Sequence, residues 1–108
     1  GTGSYPPINL FQQGDNFVAI LELPGVSRDE LNIQAKDNTI RIAGRKRVDY
    51  PEQASAHRRE RLWGEFDRTV AIPMQIDPDK IEAEYNDGLL ILFIPRPERD
   101  KPRTVQIR

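Results

Sequence analysis

Ile81-Glu82-Ala83-Glu84-Tyr85-Asn86-Asp87-Gly88-Leu89-Leu90-Ile91-Leu92-Phe93-Ile94 is the stretch that decides the fold. Ile81, Ala83 and Tyr85 alternate with polar residues, the period of an extended segment with one apolar face. Asn86-Asp87-Gly88 turns the chain, and Gly88 stands where a tight connection needs a positive φ, which glycine adopts without steric cost. Leu89 to Ile94 is nearly all apolar and reads as the second strand, closed by Pro95 and Pro97.

The same period of two runs outward from this hairpin. Phe17, Ala19 and Leu21 alternate with Val18, Ile20 and Glu22, a run that reads as a strand buried on both faces. Leu31, Ile33 and Ala35 alternate with Asn32, Gln34 and Lys36, as in a half-exposed strand. Asp37-Asn38 signals a tight turn into Thr39 to Arg47, where Ile40 and Ile42 face away from Arg41, so the two runs form a hairpin. Val48 to Arg61 loses apolar content and is predicted to be a long loop, or a loop carrying one short strand. Trp63 to Ile72 resumes β character, anchored by Phe66, Val70 and Ile72, and Asp77-Pro78-Asp79-Lys80 turns the chain again. Ser27 with Glu30 three residues on suits a capping box for one helical turn and no more. Short strands with frequent turn signals predict an all-β fold, an immunoglobulin-like antiparallel sandwich of seven to eight strands.

Composition bounds the function. The 108 residues suffice for one domain with a modest core. Net charge is −1 with 31% charged residues, a balance that does not suggest a nucleic-acid binder. Arg41, Arg45, Lys46, Arg47, Arg58, Arg59 and Arg61 make basic patches, but aromatic interleaving is poor. There is no cysteine, so no disulfide framework or thiolate zinc site exists, a composition compatible with the cytosol. No apolar run reaches membrane-spanning length. His57 is the single histidine, and no glycine-rich phosphate loop occurs, so neither a multi-histidine metal site nor ATP use is implied. The paired acids Asp77/Asp79 and Glu82/Glu84 read as turn and solvent-face residues rather than a glycosidase pair. We therefore expect no enzyme, no cofactor and no membrane or nucleic-acid partner.

Four motifs in fixed order carry a family resemblance. Ala83 to Leu90 fits A-x-x-x-x-G-x-L, and Leu23-Pro24-Gly25-Val26 fits an early L-P-G-V/I turn. Arg58-Arg59-Glu60-Arg61 with Gly64-Glu65-Phe66 fits R-R-E-R…G-x-F, and Val105-Gln106-Ile107 is similar to an I-x-I or I-x-V tail. The chain resembles the α-crystallin domain of bacterial, archaeal or plant small heat-shock proteins. On this reading residues 1–4 are an expression scar, 5–95 the domain, and 96–108 a C-terminal extension.

The resemblance implies an ATP-independent cytoplasmic chaperone that holds unfolding proteins and forms homodimers and larger homo-oligomers. ATP-driven chaperones would act downstream. It implies a groove lined by Leu31, Ile33, Ala35, Ile81 and Ala83, which receives Val105 and Ile107 from a tail; taken singly, the five are equally readable as ordinary core. It implies strand exchange, the long loop pairing with the first strand of a partner, so that Ile8, Leu10, His57, Arg58, Arg59 and Arg68 sit at a dimer interface. A plain surface loop and a solvated Arg68 remain open alternatives. Arg96 to Thr104, stiffened by Pro97 and Pro102, would span on the order of 28 Å if fully extended at about 3.1 Å per residue. A related architecture, the CS-type co-chaperone that binds an ATP-driven chaperone, is the alternative, although such domains generally lack the R-R-E-R segment and the tail.

Overall fold

The computed structural model describes residues 5–51 and 59–108. Among them are seven strands: β1 (Ile8–Gln13), β2 (Asn16–Glu22), β3 (Leu31–Lys36), β4 (Thr39–Pro51), β5 (Arg59–Ala71), β6 (Glu82–Asn86) and β7 (Leu89–Ile94). They form a four-stranded sheet ordered β1-β2-β7-β6 and a three-stranded sheet ordered β3-β4-β5, every neighbour antiparallel. Single 3-10 turns occupy Arg28–Glu30, Pro78–Lys80 and Glu98–Asp100.

The apolar alternation becomes the core. Phe17, Ala19 and Leu21 of β2 and Leu90, Leu92 and Ile94 of β7 point inward from one sheet. Ile40 and Ile42 of β4 and Phe66 of β5 meet them from the other, with Leu23, Val26, Ile72 and Ile76 filling the ends. Val18 and Ile20 lie half-exposed, so β2 is fully buried on one face only. Among the described residues no layer covers the outer side of the four-stranded sheet, which is why the predicted two-sided burial does not occur.

The expected loop from Val48 to Arg61 is shorter than its polarity suggested. β4 and β5 continue through it, pairing Val48 with Leu62, Asp49 with Arg61, Tyr50 with Glu60 and Pro51 with Arg59. Backbone pairing alone defines a ladder and needs no apolar alternation, so polarity could not reveal it. His57 and Arg58 lie outside the described residues.

The N-terminal segment packs along β5. The Tyr5 ring meets Phe66 edge-on at 5.6 Å, Pro6 is fully buried, and the Arg68 guanidinium donates to the Pro6 carbonyl. Ile8 and Leu10 follow on β1, half-buried against the core.

Gly44 permits the closest approach of any described glycine. A Cβ there would lie 2.5 Å from the Glu30 carbonyl oxygen and 3.0 Å from Phe66 Cζ, one neighbour being backbone that cannot step aside. Gly44→Ala should therefore destabilise the domain by about 2–3 kcal/mol, measured as a lowered urea midpoint at unchanged slope.

Candidate functional site

The two sheets meet imperfectly between β3 and β6, each the last strand of its sheet. A groove of about 450 Å³ opens there, lined by Arg28, Leu31, Ile33, Ala83, Glu84, Tyr85, Asn86 and Leu90. Leu31 and Ile33 project from β3 because their register with Gly44 and Ile42 turns them toward the opposite sheet. Ala83 faces them from β6, exposed, its small side chain leaving the space unfilled.

Three of the five residues expected in the groove thus come together: Leu31, Ile33 and Ala83. Ala35 and Ile81 are half-buried, packed against the core beyond the groove, at the end where the 3-10 turn Pro78–Lys80 contacts β3. That turn is held by the Asp77 carboxylate, which accepts the Asp79 amide at 3.0 Å. The open part of the groove lies toward Tyr85.

Tyr85 and Arg28 were not singled out in the sequence. Tyr85 shares its face with Ile81 and Ala83, so alternation could have found it; nothing marked Arg28. The Tyr85 hydroxyl lies 2.5 Å from the Val26 carbonyl, to which it donates, and 3.1 Å from that of Leu23. Burial pushes this phenol above its ordinary pKa. The Leu23 amide donates to the Gly88 carbonyl at 2.6 Å. Gly88 holds φ +78°, and a Cβ on it would approach Pro24 Cα to 3.3 Å. The L-P-G-V turn and the A-x-x-x-x-G-x-L hairpin are therefore one junction, built at the head of the groove.

Beneath it, the 3-10 turn Arg28–Glu30 is not held by the expected cap, for Ser27 makes no side-chain hydrogen bond. Glu30 instead accepts both arms of Arg45, each at 2.9 Å. Arg41 grips Asp67 in the same two-pronged way at 2.8 and 2.5 Å. These hydrogen bonds hold the Glu30 and Asp67 carboxyls below the ordinary carboxylate range. Both pairs are largely solvent-lapped, so each contributes little.

The extension is tied down before it becomes free. The Arg96 amide donates to Asn16 Oδ1 at 3.0 Å and its Nε to the Asp15 carbonyl at 3.1 Å. Lys101 reaches back to Glu98 at 2.9 Å. Only Pro102 to Thr104 separate this strap from Val105, a span of roughly 10 Å when extended. Val105 and Ile107 are 84% and 94% exposed. Arg59 lies on the ladder opposite Pro51. Among the described residues no cluster of His, Cys, Asp and Glu could hold a metal, and no helix is long and apolar enough to cross a membrane.

An antiparallel β-sandwich with a groove carrying Leu31, Ile33 and Ala83 at one edge and an exposed V-x-I tail defines the class. Residues 9–108 match the Hsp20/alpha crystallin family, and the chain belongs to it. This family comprises chaperones rather than enzymes; the match decides against the CS-type alternative. The 18 kDa antigen 2 of Mycobacterium avium is 37% identical over 94% of this chain and 72% of its own length. Heat shock protein 16.0 from Schizosaccharomyces pombe superposes with a TM-score of 0.71 at 30% identity, covering 95% of this chain and 75% of that one. A small heat-shock protein from Xylella fastidiosa, described as having a distinct high order structure, gives 0.66 at 27% identity over 99% of both chains.

Removing the Tyr85 hydroxyl should loosen the junction. Tyr85→Phe is expected to cost about 1 kcal/mol, with faster hydrogen exchange at the Leu23 and Val26 amides. The carboxylate pairs set an acid dependence. Because the folded pKa of Glu30 is depressed, its contribution is complete above the unfolded glutamate pKa and vanishes as pH falls through the folded one. Arg45→Met should lower stability slightly at neutral pH and make no difference in strong acid, as followed by urea unfolding at both.

Proposed function

We propose that the protein is an ATP-independent holdase of the cytoplasm, which keeps unfolding proteins from aggregating and passes them to ATP-driven chaperones. Its groove binds the Val105–Ile107 pair of another subunit and, when vacant, apolar segments of clients. The observation that carries this reading is the coexistence in one chain of an open groove, bearing Leu31, Ile33 and Ala83 between two strand edges, and an exposed apolar pair on a short tether. The tether supports docking between subunits. It leaves the sandwich beside Asp15 and Asn16, where β7 ends next to Phe17, whereas the groove opens toward Tyr85 at the other end of β6.

Dimers form by exchange of the segment between β4 and β5, with His57, Arg58, Arg59 and Arg68 meeting Ile8 and Leu10 on β1 of a second copy. Family membership and the length of the β4–β5 ladder favour this arrangement. Larger assemblies follow from the tails, in keeping with the high order structure named for the Xylella relative.

The double variant Val105→Ala with Ile107→Ala should shift the mass distribution toward dimers in size-exclusion chromatography with light scattering. It should also suppress thermal aggregation of a model client, without nucleotide, at least as well per subunit as the parent. Unchanged mass at every concentration would remove the tail as the linker. Failure of both proteins to suppress aggregation would remove the holdase.

A further inference from the structure

We propose that Arg28 is the end-stop of the groove, a specificity-determining residue that limits a docked strand to two alternate apolar side chains. This rests on the reading of the groove as a strand-binding site and adds what that site selects.

The argument starts at the turn between β6 and β7. Asp87 and Gly88 carry φ of 50° and 78°, both positive, so the two-residue connection is of the kind that closes a hairpin on a hydrogen-bonded pair. That pair is Asn86 with Leu89. Antiparallel ladders alternate bonded and non-bonded pairs, so Glu84 and Glu82 also bond β7, while Ala83 and Tyr85 turn their amides and carbonyls outward to the groove. These outward groups are the ladder a docked strand would use.

One of them is already taken. Arg28 Nη2 donates to the Tyr85 carbonyl at 2.9 Å, across 57 residues of chain. The guanidinium, which also lines the groove, occupies the place where the next amide of a docked strand would bond. It also sets a charge where a third apolar side chain would have to lodge, and covering that charge without a partner is unfavourable. At the opposite end Ala35 and Ile81 do not line the groove, and the Pro78–Lys80 turn is in contact with β3. Between the two ends stand Leu31, Ile33 and Ala83. Leu31 and Ile33 are two residues apart on one face, roughly 7 Å. That is the spacing of Val105 and Ile107, the shortest apolar pair a strand can present on one side.

Arg28 therefore gives the groove a length. A two-peg strand fits, whereas a longer alternating strand, such as an exposed edge of an aggregating chain, gains nothing from its third peg. A charge at the end of an exposed edge also discourages sheet-to-sheet growth.

The test uses the full chain carrying Val105→Ala and Ile107→Ala, so that its own tail does not compete, with and without Arg28→Met, which keeps the apolar stem. The probes are fluorescent peptides of residues 101–108, the same peptide with Arg103→Ile, and one with an added isoleucine two positions after Ile107. With Arg28 present, the third apolar residue should change affinity less than twofold. With Arg28→Met, whichever lengthened peptide reaches that end should bind at least fivefold tighter than the two-peg peptide. A ratio between long and short peptides that ignores Arg28 overturns the end-stop alone. If no peptide binds either protein in fluorescence polarisation, the groove reading fails and the end-stop with it.

Discussion

Two open sheets laid face to face leave four strand edges, and the amides and carbonyls along them must be covered, solvated or matched by another chain. The sandwich treats its two seams differently. Between β1 and β5 the N-terminal segment crosses, with Tyr5 against Phe66, Pro6 buried and Arg68 holding the Pro6 carbonyl. Between β3 and β6 nothing comparable crosses among the described residues, and the groove is what is left. The buried apolar side chains hold the sheets together whatever happens at the open seam, which leaves that seam free for the proposed docking.

An open seam is useful only if it keeps its shape. The junction of the L-P-G-V turn with the β6–β7 hairpin provides this from one side, through the Tyr85 hydroxyl, the Gly88 carbonyl and the close packing of Gly88 on Pro24. From the other side, Gly44 lets the Arg28–Glu30 turn sit directly on β4, with Arg45 paired to its glutamate as a minor addition. Arg28 is thereby carried on a fixed backbone to the groove, which is what an exposed arginine needs if its position is to mean anything, given the entropy of its long side chain.

Much of this was legible because a period of two states which face a residue takes. The β6–β7 hairpin, the Asp37-Asn38 turn with Asp37 at φ 56°, and the inward set Phe17, Ala19 and Leu21 all follow from it. Depth was not legible. Ile81 and Ala83 look alike in an alternation, yet one packs on the core and the other stands at the groove, a difference set by the Pro78–Lys80 turn that only the folded chain brings to β3. Nor could polarity distinguish a paired ladder from a loop in Val48 to Pro51. Arg28 and Gly44 act through residues far away in the chain, and no local pattern announces such contacts.

The energetics of the proposed plug turn on how much of the tail is ordered beforehand. Burying a valine and an isoleucine fully yields about 3–6 kcal/mol together, and ordering each backbone residue costs about 1–2 kcal/mol. A fully mobile extension would lose that contest. Here Arg96 is already held by Asn16 and Asp15, and the Lys101–Glu98 pair closes a local turn further on, so fewer residues remain to be ordered. Preorganisation of this kind brings a single docking event near balance. Near balance, several tails in one assembly hold by linkage while each exchanges. The proposed holdase, with a groove vacant for a client and filled at rest, requires a contact in that range, and a tighter tail would defeat it.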